Sequence, residues 1–136
     1  MILRRVLVAN RGEIAVRITR TCRALGIETV LAVPDDDTGS VPARLADATI
    51  RTGPAASFLD VAAMVGAARA VDADAIHPGY GFLSESPRLA RACEEAGLVF
   101  IGPTAAQLEA VGDKLAARAG AAAARSEEHT SELQSP

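Results

Sequence analysis

The chain reads as an α/β domain: an open parallel sheet with helices on both faces. Three observations carry that expectation. Apolar runs of strand length alternate with segments of helical periodicity along the chain. Helix punctuation falls between them in the favoured order, with Ser86-Pro87 opening a helix that Gly97 closes and Gly26 closing another. The first run, Arg5 to Ala9, is short and apolar enough for a strand buried in a parallel sheet.

The elements follow in order. After the strand Arg5 to Ala9 comes a helix from Glu13 to Leu25, in which Ile14, Ile18, Cys22 and Leu25 fall on one face. Gly26 ends it. Glu28 to Val33 is the second strand, stopped by Pro34 and the triplet Asp35-Asp36-Asp37, and Ala48 to Arg51 is a short third. Ser57 is expected to cap a helix from Phe58 to about Val71, with Asp60 in its first turn where the dipole favours an anion. Ala75 to His77 is the fourth strand and Leu98 to Ile101 the fifth, separated by the helix that Ser86 opens. Thr104 with Gln107 three residues on forms a capping box for a last helix.

Composition narrows the classes. A chain of 136 residues fits one domain. With 49% hydrophobic residues, 3% aromatic and no Trp, Ala, Val, Leu and Ile must fill the core. A net charge of -3 leaves no electrostatic footprint for nucleic acid. Arg4 and Arg5 precede only a short apolar run, unlike a secretory signal, and no stretch reaches the 18 or so apolar residues a membrane span needs. A soluble, cytoplasmic protein is expected. Cys22 and Cys93 read as buried thiols of a reducing compartment. The first turn lacks G-x-G-x-x-G, and no G-x-x-x-x-G-K-[ST] string occurs. Asp35-Asp36-Asp37, without further oxygen ligands, reads as a solvated loop rather than a metal site.

The chemistry is expected beyond the carboxyl ends of the strands, where open α/β sheets bind ligands. Asn10-Arg11-Gly12 follows the first strand there, and Pro78 to Ser84 follows the fourth. Read locally, Gly12, Gly79 and Gly81 only permit tight turns. His77 has two readings, a general base by residue type or a histidine fixing the loop by hydrogen bonds, and the second is preferred. Glu85 is read as a first-turn anion in preference to a ligand-facing acid.

Three blocks change the balance. Ala9-Asn10-Arg11-Gly12-Glu13-Ile14-Ala15, His77-Pro78-Gly79-Tyr80-Gly81-Phe82-Leu83-Ser84-Glu85-Ser86, and Phe100-Ile101-Gly102-Pro103 followed by Gly112-Asp113-Lys114 resemble the N-terminal domain of the biotin carboxylase family. These are the ATP-dependent subunits or domains of acetyl-CoA, propionyl-CoA, methylcrotonyl-CoA and pyruvate carboxylases. The resemblance spans roughly Ile2 to Arg118. It implies a Rossmann-like N-terminal domain, residues 1–118, preceding an ATP-grasp domain. It also implies carboxylation of carrier-bound biotin by bicarbonate and ATP, with Mg²⁺, a biotin carboxyl carrier domain, a carboxyltransferase and homodimers in full-length relatives. Another ATP-grasp ligase, such as carbamoyl phosphate synthetase, and a non-catalytic association module are the alternatives.

The same resemblance assigns roles. Lys114 is expected to bind the ATP phosphates, as a mobile point charge with three donors suits. The loop Gly79, Tyr80, Gly81 approaches the cleft, where Tyr80 either faces substrate or pins the loop. Arg20 stands where relatives carry a dimer-interface arginine, while Ala24 departs from their polar residue. The family's catalytic residues lie downstream of Lys114, so none is expected here and the chain alone is expected to be inactive. Residues 119–136 form an alanine-rich segment and a tail. Its Arg125 to Ser135 resembles the translated read-through of a sequencing adapter, and His129 is set aside from every site.

Overall fold

Val6, Leu7 and Val8 are excluded from solvent, which places the first strand at the centre of a sheet covered on both sides. The structure, a computed structural model, describes residues 2–128. Strand β1 (Arg5–Val8) runs parallel to β2 (Glu28–Pro34) on one side and β4 (Ala75–His77) on the other. Beyond them lie β3 (Ala48–Gly53) and β5 (Val99–Phe100), giving the parallel order β3-β2-β1-β4-β5.

Alternation along the strands divides the core in two. Leu7, Val30, Ala32 and Ile76 face helices α3 (Val61–Ala70) and α4 (Pro87–Ala96), which contribute Met64, Ala67, Leu89 and Cys93. Val8, Leu31 and Val33 face α1 (Gly12–Ala24), which contributes Ala15, Ile18 and Cys22, and α2 (Val41–Leu45) packs along the edge of that cluster through Ala43. The helices therefore cover both faces, as the periodicity predicts. Helix α5 (Ala105–Glu128) packs on α4, where Arg91 Nη2 lies 2.6 Å from Glu109 Oε2. Among the described residues no helix is long and apolar enough to cross a membrane.

Three helices end by one device. At the end of α1 the Ile27 N–H donates to Cys22 O at 2.8 Å and the Gly26 N–H to Arg23 O at 3.1 Å, with Gly26 left-handed at φ +75°. The same pair of bonds closes α4, where Leu98 N–H reaches Cys93 O and Gly97 is left-handed. It closes α3 through Ala73 N–H to Ala68 O, with Asp72 left-handed at φ 55°. Each satisfies carbonyls that the helix leaves unpaired.

Several expectations are corrected. The cap of α3 is Asp60, whose Oδ1 accepts from Ala63 N–H at 3.1 Å, and not Ser57. Ser57 sits in a short 3-10 turn, Ala55–Leu59, with its hydroxyl 2.7 Å from that of Thr52. Burial of the neighbouring Phe58 holds this turn against the sheet, so the helix starts later. Leu25 is 69% exposed, because the chain leaves the helix there. The buried face of α1 is instead Ala15, Val16, Ile18, Thr19 and Cys22. Helix α2 was not expected from the periodicity. The third strand is longer than expected and the fifth shorter, at two residues. Asp35 and Asp37 are not merely solvated: Asp35 pairs with Arg51 at 2.8 Å and Asp37 with Arg11 at 3.2 Å.

Both cysteines are free and buried. Burial pushes the Cys93 thiol up to about 11, with Glu94 adding to it. The alanine-rich segment from 119 continues α5 without a break at 118. Most of the adapter-like string, including His129, lies outside the described residues.

The loops at the carboxyl edge of the sheet

Because β1 and β4 are parallel neighbours, the loops that follow them leave the same edge. Asn10 joins them. It is 2% exposed, immediately after the apolar run that ends in Ala9. Its Nδ2 donates to Pro78 O at 2.8 Å and to Tyr80 O at 2.7 Å, and its Oδ1 accepts from Arg11 N–H at 2.8 Å. The reverse amide orientation would face oxygen to two carbonyls and N–H to N–H, so the network itself sets the assignment. Both amide hydrogens are used, as a buried polar group requires.

The second loop is built around this contact. Gly79 has φ +67°, and a Cβ there would lie 2.8 Å from both Asn10 Nδ2 and Ile14 Cγ2. Only glycine permits that approach. The Gly79 N–H donates to His77 Nδ1 at 3.1 Å. His77 thus fixes the loop, with its own hydrogen on Nε2, and its half-buried setting depresses the imidazole pKa by desolvation. Gly81 is left-handed at φ +74°, and Phe82 follows at φ 47°. A bulky residue in that region is strained and persists only where its surroundings hold it. Here the Phe82 ring packs on Phe58 with centroids 5.1 Å apart, and Leu83 enters the core.

Tyr80 stands apart from this order. Its carbonyl is held by Asn10, while the residue is 78% exposed. The side chain does not pin the loop; the backbone does. The third motif is also a close approach, since a Cβ on Gly102 would lie 2.9 Å from the Phe100 ring.

The other site residues lie apart. Lys114 is exposed on α5, and among the described residues it forms no ion pair or hydrogen bond with the Gly79–Gly81 loop. Glu85 is exposed just before the cap Ser86, whose Oγ accepts from Leu89 N–H at 3.1 Å, so it precedes the first turn of α4. Arg20 is exposed and lines an open groove of about 400 Å³ with Arg11, Glu13, Asp37 and Ser40. Asn10 is the residue that sequence reasoning passed over as a contact. The signal for it was an amide placed directly after a buried strand. Among the described residues no three His, Cys, Asp or Glu side chains gather as a metal site.

Comparison with known proteins agrees with the motifs. Residues 2–108 match the family described as biotin carboxylase, N-terminal domain. The mitochondrial methylcrotonoyl-CoA carboxylase subunit alpha of Glycine max is 53% identical over 119 residues, 85% of this chain and 16% of that subunit. The biotin carboxylase of Haemophilus influenzae is 49% identical over 118 residues, 85% of this chain and 26% of that protein. Among solved structures, the biotin carboxylase domain of a thermophilic 2-oxoglutarate carboxylase bound to bicarbonate superposes with a TM-score of 0.81 at 42% identity. That match covers 93% of this chain and 29% of the other. The chain therefore spans under a third of each of these relatives. Matched by its family over most of its length, and in its fold by a biotin carboxylase domain, the chain belongs to the biotin carboxylase N-terminal domain family.

Proposed function

We propose that this chain is the N-terminal domain of an ATP-dependent biotin carboxylase, which carboxylates carrier-bound biotin with bicarbonate for an acyl-CoA or pyruvate carboxylase. The observation that carries this reading is the company it keeps: its relatives are biotin carboxylases and the carboxylase subunits that contain them. The carrier domain and the carboxyltransferase are then its working partners, and the cytoplasm its compartment. Arg20 and its groove are the surface at which a second copy packs.

In this reading Lys114 neutralises ATP phosphate charge from an exposed helix position, and the Tyr80 loop lines the cleft opposite it. Mg²⁺ supplies further charge neutralisation when bound. With no acidic cluster among the described residues, its ligands belong to the rest of the enzyme. A millimolar site needs about 4 kcal/mol of net binding. One charge-assisted contact from Lys114 supplies about 1.5–3 kcal/mol before ordering costs. The 136-residue chain alone is thus expected to show no saturable ATP binding by calorimetry at millimolar concentration and no bicarbonate-dependent ATP hydrolysis.

The test is made in the full-length carboxylase. Lys114→Ala should weaken apparent ATP affinity about ten- to a hundredfold while leaving the melting temperature in place. Unchanged ATP dependence would return Lys114 to an ordinary solvated lysine. Absence of bicarbonate-dependent ATP turnover in the unmodified enzyme would remove the functional reading itself.

A further inference from the structure

We infer that Asn10 is the positioning residue that sets Tyr80 at the carboxyl edge; the inference rests on the reading of that edge as part of a biotin carboxylase cleft. The loop from Pro78 to Phe82 has two anchors and one free member. Its far end is anchored by the Phe82 ring on Phe58 and by Leu83 in the core. Its near end is anchored by Asn10, through the carbonyls of Pro78 and Tyr80. Between them the Tyr80 ring projects into solvent and carries the one exposed aromatic hydroxyl of the loop. The other contacts of the segment are local, such as Gly79 N–H to His77 Nδ1 and Ser84 N–H to Gly81 O. They stabilise turns but do not tie the loop to another part of the sheet.

Asn10 does tie it, across 70 residues of sequence. The side chain suits the task because one short neutral group supplies two donors and one acceptor. Asp would present oxygen to both carbonyls, and Gln would need one more methylene in a space already crowded by Gly79 and Ile14. Asn10 touches no reacting group. It acts by fixing the Cα of Tyr80, and so the range over which the ring can meet a ligand.

The first test uses backbone order parameters of the 136-residue chain by NMR. In the unmodified chain the Tyr80 amide should be as ordered as the strands, with S² about 0.85, and Asn10→Ala should lower it below about 0.6 while β1 and β2 keep their values. A mobile Tyr80 in the unmodified chain overturns the inference, whether or not the variant folds. So does an Asn10→Ala chain in which Tyr80 stays ordered. The second test is kinetic, in the full-length carboxylase. Asn10→Ala should raise KM for the one substrate that the Tyr80 ring meets about tenfold or more through misplacement of the loop, with KM for the others unchanged. Equal losses for all substrates, or none, would make Asn10 a structural residue only. A full-length enzyme without bicarbonate-dependent turnover would sink the functional reading and leave the latch to be judged by the order parameters.

Discussion

The two edges of the sheet are stitched by opposite chemistry. At the amino edge the strands begin with N–H groups that have no partner, and carboxylates take them. Asp74 Oδ2 accepts from Arg4 and Arg5 N–H at 2.8 and 2.9 Å, and Asp47 Oδ2 accepts from Thr29 N–H at 2.8 Å. At the carboxyl edge the surplus groups are carbonyls, and a neutral amide, Asn10, donates to them. The difference lies in which groups are left over at each end: strand-entry N–H groups at the amino edge and loop carbonyls at the carboxyl edge. It also separates the edges by what breaks them: protonation can undo a carboxylate stitch, whereas the neutral amide of Asn10 does not titrate.

The comparison predicts that the carboxyl edge is limited by space. Gly79→Ala must hold a left-handed φ of +67° and place a Cβ 2.8 Å from Asn10 Nδ2 and Ile14 Cγ2. The conformational and crowding costs together come to about 3 kcal/mol or more. Gly81→Ala has the same conformational cost at φ +74° but open space around it, so it should lose only about 1–2 kcal/mol. Chemical denaturation of both variants separates the two costs. Equal losses would mean that the Asn10 contact is looser than the structure shows.

Acid should dissect the edges in turn. The backbone N–H groups of Arg5 and Arg4 hold the Asp74 carboxyl below the usual range. Its contribution is therefore present above the unfolded value near pH 4 and is lost as pH falls through the lower folded value. His77 is also depressed, by desolvation. As pH falls through about 6.5 the unfolded chain takes the proton first, so stability from the neutral imidazole is lost from there down to the folded pKa. Thermal melts should show two windows of loss. His77→Asn should abolish the upper window alone, and Asp74→Asn should flatten the lower one. If His77→Asn alters the lower window instead, the assignment of edges to windows is wrong.

What could be read in advance follows the range of the forces involved. Alternating apolar runs and helix ends are local signals, and the motif loops fell on the expected edge because parallel β-α order leaves them no other. The start of α3 was misplaced because Ser57 and Asp60 are both good caps three residues apart, and burial of Phe58 decided between them. Helix α2 is too short for periodicity to register, although Ser40, whose Oγ accepts from Ala43 N–H, and Pro42 marked it. The end of α3 was placed correctly at about Val71, although Asp72 and not glycine fills the left-handed place that Gly26 and Gly97 take. Asn10 was legible as a loop residue but not as a latch, since its partners lie 68 and 70 residues away. The roles expected of Lys114 and Arg20 came from family resemblance, since both are exposed side chains with no local signal of their own.

The smallest expected effect separates stitches from ion pairs. Arg5 pairs with Glu28 at the amino edge, and both side chains are partly solvated. Exposed pairs lose most of their attraction to screening and to the ordering of two long side chains. Glu28→Gln should therefore move the melting temperature by no more than replicate scatter, at low salt and at high salt alike. Arg5 has a second bond that this substitution spares, from Nη1 to Val71 O at 2.7 Å. Val71 O belongs to the end of α3, where the turn through Asp72 leads into Asp74 and the carboxylate stitch. Arg5→Met removes that bond while keeping much of the apolar stem, and it should cost measurably more than Glu28→Gln. A larger loss for Glu28→Gln, growing as salt is lowered and shrinking as it is raised, would show that charge and not backbone hydrogen bonding holds the amino edge.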